Sequence, residues 1–124
     1  MSGMKSKYMK PVIIALNNVG MPANLVGYEY TKTALCLALE NKGMIFNKVM
    51  NLYKEVGEVH NVNKSRAERN IRHAIETTFN RMSPDVQKEY FGGCVLYNEG
   101  RVRNAEFLGI MAEKIRMDLG EYDV

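Results

Sequence analysis

Tryptophan is absent from this chain, proline occurs only three times, and cysteine and histidine twice each. Cys36 and Cys94 lie far apart with neither CxxC spacing nor a nearby histidine, which leaves a disulfide or a metal site only as the remote alternative. They read as reduced, buried thiols of a cytosolic protein. His60 and His73 add no paired ligand spacing to them, so no metal site is expected. Gly92-Gly93 has neither P-loop nor dinucleotide spacing, and the carboxylates of Glu55 and Glu58 fall on what reads as a solvated helix surface. Neither cysteine has a base or an orienting carboxylate beside it in sequence. No enzyme activity and no cofactor are therefore expected. No apolar run approaches the roughly 18 residues of a membrane span. The opening MSGMKSKYMK leads only into PVIIAL, too short for a signal peptide, so the expected location is cytoplasmic.

The composition that remains, 46% hydrophobic and 25% charged over 124 residues, is that of one ordinary globular domain and argues against disorder. Residues 1–8 read as a flexible lead-in, 9–120 as the domain and 121–124 as a tail. Pro11 to Val19 has a helical pattern, with Val12, Ile13, Leu16 and Val19 inward and Gly20 as its stop. A second helix is expected from about Tyr28 to Lys42, closed by Gly43. Its wide apolar set of Tyr30, Ala34, Leu35, Leu37, Ala38 and Leu39 marks a central element. Met44 to His60 continues the helical period through Ile45, Val49, Leu52, Tyr53, Val56 and Val59. Gly57 either weakens that helix or admits a close neighbour. Ser83-Pro84 opens a short helix to about Tyr90 that Phe91-Gly92-Gly93 ends. Cys94 to Arg103 reads as an extended loop or ragged hairpin around Asn98-Glu99-Gly100. Asn104 then caps a last helix to Leu119, with Phe107, Leu108, Met111, Ala112, Ile115 and Leu119 inward. The fold class is all-α, one compact domain of five to six helices.

Between these elements lies Lys64 to Arg81, KSRAERNIRHAIETTFNR. Wound as a helix, it gathers Ala67, Ile71, Ala74, Ile75 and Thr78 on one side. Arg66, Arg69, Arg72 and His73 fall on the other, with Glu68 on a flank. Its five basic and two acidic residues give +3, which is the net charge of the whole chain, so the remainder is balanced. The polar interruption His60-Asn61-Val62-Asn63 precedes it, which is the grammar of a helix-turn-helix. Two starts compete: Asn63 as the cap, or Ser65 in the S-x-x-E box formed with Glu68, and Asn63 is preferred. Arg66, Arg69 and His73 share one strip, and arginine's planar fork suits both guanine edges and phosphate. A basic helical face is necessary for groove binding without being specific to it. A solvated helix laced by pairs such as Arg72–Glu76 accounts for the same pattern.

Ser65-Arg66-Ala67-Glu68-Arg69-Asn70-Ile71-Arg72-His73-Ala74-Ile75-Glu76 resembles the C-terminal DNA-binding domain of stage-zero sporulation protein A, the response regulator of endospore-forming bacteria. That family reads approximately S-R-V-E-R-A-I-R-H-A-I-E there. Gly20-Met21-Pro22-Ala23 with Gly27-Tyr28-Glu29-Tyr30 is similar to its G-V-P-A and G-Y-x-Y, and Leu52-Tyr53 matches before the turn. Asn104-Ala105-Glu106-Phe107 with Ala112-Glu113-Lys114-Ile115-Arg116 is similar to its N-S-E-F and A-D-K-L-R. The likeness spans about Val12 to Leu119.

The resemblance implies six helices, the third and fourth forming the helix-turn-helix, and a double-stranded target near TGTCGAA, often in tandem. It implies that Arg66, Glu68 and Arg69 face base edges, while Ser65, Arg72 and His73 lie at the phosphate backbone. Lys64 and Arg81 are expected to add phosphate affinity that falls with salt. Arg101 and Arg103 form a second basic patch, a candidate for DNA or for a subunit contact. The family carries a phosphoacceptor receiver for which this chain has no room, so phosphorylation-driven dimerisation is not implied. Lys54 stands where the family commonly has proline, Val26 where it has lysine, and Val102-Arg103 where it has Pro-Thr. Asn70 replaces a small apolar residue. Expected partners are double-stranded DNA, with a homodimer on tandem sites and RNA polymerase or a sigma factor as further candidates, and no membrane. The competing reading is a receiver-less protein-interaction module that regulates transcription by competing for a sigma factor, RNA polymerase or a partner regulator.

Overall fold

The computed structural model describes residues 5–41, 49–97 and 102–121. Within them run six helices: α1 (Met9–Val19), α2 (Val26–Glu40), α3 (Val49–His60), α4 (Lys64–Arg81), α5 (Pro84–Tyr97) and α6 (Asn104–Asp118). Among the described residues there is no strand, and no helix is long and apolar enough to cross a membrane.

Helix α2 is the hub, packing against α1, α3, α4 and α6. It is buried nearly all round, which explains why its apolar residues form no narrow stripe: Tyr28, Tyr30, Ala34, Leu35, Cys36, Ala38 and Leu39 are all in the core. Leu37 is only half-buried, and Thr31 and Thr33 are buried in addition to the apolar set. Thr31 donates to the Gly27 carbonyl one turn earlier at 2.7 Å, so its hydroxyl is satisfied within the helix. At the far end, the buried Arg116 of α6 donates from Nη2 to the carbonyls of Ala38 and Leu39, at 2.8 and 3.1 Å. A cation there caps the orphan carbonyls at the negative end of α2.

Helix α1 buries Val12, Leu16 and Val19 and ends at Gly20, whose φ of 80° lets the chain turn back. Tyr8, just before it, is buried and donates its hydroxyl to the Glu121 carboxylate at 3.1 Å, which ties the two ends of the described chain together. The Gly43 stop and the expected helical residues 44–48 lie outside the described residues. Helix α3 runs through Lys54 unbroken.

Three expectations are corrected. Helix α5 does not end at Tyr90: Phe91 leaves helical geometry (φ −128°, ψ 20°), but the chain resumes the helix to Tyr97. The stretch expected as a loop from Cys94 is thus helical for four residues, while 98–101 lie outside the description. The bend at Phe91 lets its ring stack on Phe107 at 5.3 Å and meet Phe79 edge-on at 5.8 Å, so α4, α5 and α6 share one aromatic cluster. Second, the N-cap of α6 is Arg103, with Asn104 the first helical residue. The Arg103 N–H donates to the Glu106 carboxylate at 3.2 Å, half of a capping box; a guanidinium has no acceptor to supply the other half. Third, Leu119 is 44% exposed, because it lies beyond the last buried turn of α6.

Candidate nucleic-acid interface

The turn between α3 and α4 sets the direction of the basic helix. Asn61 takes the left-handed conformation (φ 59°), and the Val62 N–H returns to the Gly57 carbonyl at 2.9 Å, closing α3 with the bond of a Schellman motif. The Val62 carbonyl lies where a Cβ on Gly57 would stand, so the close neighbour of this glycine is the turn itself. His60, the last residue of α3, contacts the Thr33 hydroxyl through Nε2 at 2.7 Å and lies against the Tyr30 ring. Burial holds its imidazole below the ordinary histidine range, with Glu29 working against that shift and Lys32 with it.

Asn63 then caps α4: its side-chain oxygen accepts from the Arg66 N–H at 2.8 Å, so the helix starts at Lys64 and Ser65 is not the cap. Ala67, Ile71, Ala74, Ile75, Thr78 and Phe79 are buried, one more residue than the period indicated. The helix seats against α2 where Gly27 meets the Asn70 carbonyl and the Ala74 methyl. No carboxylate occupies its first turn. Lys64 and Arg66 stand there instead, adding cations to the positive end of the helix dipole, an arrangement that attracts an anion.

Lys64, Ser65, Arg66, Arg69, Arg72 and His73 are all exposed between the start and the middle of α4. Arg81 is exposed as well, but it lies fifteen residues beyond Arg66, about 22 Å along the axis. Arg101 is outside the described residues, while Arg103 is exposed at the start of α6.

Glu68 is set apart from the others. Its side chain is 31% exposed, and both carboxylate oxygens accept from Arg72 Nη1 at 2.9 Å. The ion pair thus runs from Glu68 forward to Arg72, in place of the expected Arg72–Glu76, which is the favoured order of charges along a helix. Asn104 Nδ2 approaches Glu68 Oε2 at 3.4 Å and the Glu68 carbonyl at 3.5 Å, bringing the start of α6 beside the basic strip. The Asn104 carboxamide also lies near the Tyr53 hydroxyl. Burial is the main cause pushing this phenol above the ordinary tyrosine range, with Asn104 working against the rise, so it remains a protonated hydroxyl. Neither Asn104 nor Tyr53 stood out in the sequence as part of this surface. Their partners are remote along the chain, and only the docking of α6 on α4 reveals the connection.

A turn-presented helix, docked on α2 and α3 through its apolar side and cationic over its exposed first half, is the arrangement of a helix-turn-helix reader. Residues 12–115 match the family model described as "Sporulation initiation factor Spo0A C terminal". That match covers most of the 124 residues and includes every helix described above except the ends of α1 and α6. The chain belongs to the Spo0A C-terminal family, the DNA-binding effector domain of a sporulation regulator.

Proposed function

We propose that the chain is a sequence-specific transcription regulator that places the first half of α4 in the major groove of a TGTCGAA-like box. The observation that carries this reading is the exposed strip of Arg66, Arg69 and His73 at the carboxylate-free start of a turn-presented helix. Arg66 and Arg69 present planar forks that match guanine O6 and N7, each good bidentate contact giving roughly 1–3 kcal/mol of discrimination. Glu68 accepts from a cytosine amino group. Lys64, Ser65, Arg72 and His73 meet phosphate and supply affinity that falls with salt. Arg103 joins them from α6, because its neighbour Asn104 lies against Glu68. Arg81, at the far end of α4, contributes general attraction and no base reading. Tandem boxes would bring two chains side by side as a homodimer on DNA.

An electrophoretic shift with a TGTCGAA-like duplex against a scrambled one tests the reading. Tighter binding to the box at moderate salt supports it; equal affinity for the two duplexes contradicts it.

A further inference from the structure

Resting on that DNA-binding reading, we infer that Arg72 and Asn104 are positioning residues for Glu68, and that Glu68 Oε1 is the atom left free to accept from a base. A carboxylate offers about four acceptor positions. Arg72 Nη1 occupies one on each oxygen at 2.9 Å, and Asn104 Nδ2 occupies a second on Oε2 at 3.4 Å. One position remains, on Oε1. A single acceptor suits a single amino donor, which in the major groove is the cytosine N4–H. The carboxylate is exposed enough to be reached, and Arg72 bridges both of its oxygens.

The hold is rooted in the core. Asn104 is the first residue of α6 and its carboxamide lies near the hydroxyl of Tyr53, which is buried on α3, so the carboxylate stands where α4 and α6 meet over the core. Arg72 is shared in turn. Nη1 shares one hydrogen between the two Glu68 oxygens, while its other hydrogen and those of Nη2 and Nε are left for a phosphate oxygen. Base reading and backbone contact are therefore mechanically joined across one turn of α4. This changes what Arg72 is expected to do: a residue that only touched phosphate would be neutral to sequence, whereas one that also orients Glu68 would not.

The test uses the full chain and fluorescence anisotropy on the TGTCGAA-like box, with each of its C·G pairs replaced in turn by T·A. The wild type should lose roughly tenfold in affinity at the pair read by Glu68. Arg72→Ala should weaken all duplexes and erase the preference at that one pair, leaving preferences at the others. Arg72→Lys keeps the charge without the two-oxygen bridge and should erase the same preference with less general loss. Asn104→Ala should erase it too, with an unchanged dependence on salt. If Arg72→Ala and Asn104→Ala instead lower affinity for every duplex by the same factor, the positioning role is overturned. A readout without DNA separates the two layers: the Asn104 side-chain amide resonance in the free protein should shift on Glu68→Ala. An unshifted amide overturns the network alone. A wild type with no preference among duplexes overturns the DNA reading and the base contact with it.

Discussion

Gly27 of α2 lies directly against the main-chain carbonyl of Asn70 in α4, with no room between them for a Cβ. The approach brings the hub helix onto the middle of the basic helix and fixes the height at which the exposed strip stands. Gly27→Ala must push the two helices apart, since the obstacle is backbone and cannot rotate away. The expected cost is about 1–3 kcal/mol, read as a lower denaturation midpoint, together with weaker binding to the box. Gly92→Ala is the control. Nothing lies within 4 Å of its Cβ, so stability should be unchanged or raised by up to about 1 kcal/mol.

The start of α4 gives a second prediction. Asn63→Ala removes the acceptor for the Arg66 N–H and should cost about 1 kcal/mol. Ser65→Ala, one residue inside the helix, should leave stability within about 0.5 kcal/mol. Chemical denaturation of the two variants distinguishes the caps, and a larger loss from Ser65→Ala would mean that the helix begins later.

These two sites show what was legible in the chain. Asn63 could be chosen as the cap because a cap is a local contract between a side chain and the N–H three residues on. The buried face of α4 was legible for a similar reason: Ala67, Ile71, Ala74, Ile75 and Thr78 recur at the helical period. Gly27 was harder, because the carbonyl it admits is forty-three residues away and a glycine does not name its neighbour. The glycines that follow Phe91 signal a helix stop locally, yet α5 continues through them to Tyr97. The aromatic cluster with Phe79 and Phe107, which draws Phe91 inward through the bend, is a tertiary contact. The grip of Asn104 on Glu68 is likewise tertiary, and the sequence presented Asn104 as a helix cap.

A third prediction concerns pH. Burial lowers the His60 pKa in the folded protein relative to the ordinary value near 6.5. The unfolded chain therefore takes up the proton first as pH falls, and the stability present above about pH 6.5 declines as pH drops toward the depressed folded value. His60→Gln can still meet the Thr33 hydroxyl but does not titrate. Thermal melts should show the wild type losing more than His60→Gln between about pH 7 and 5. Parallel curves would mean that His60 is not the group responsible.

On the proposed reading, the first half of α4 reads base sequence and does more than attract phosphate. Binding of the wild type and of Arg69→Ala to the TGTCGAA-like box and to a scrambled duplex over a salt series separates the two roles. The wild type should show a clear preference for the box that Arg69→Ala erases, while both proteins retain salt-dependent binding to the scrambled duplex. Arg69→Ala binding with the wild-type preference intact would contradict that reading.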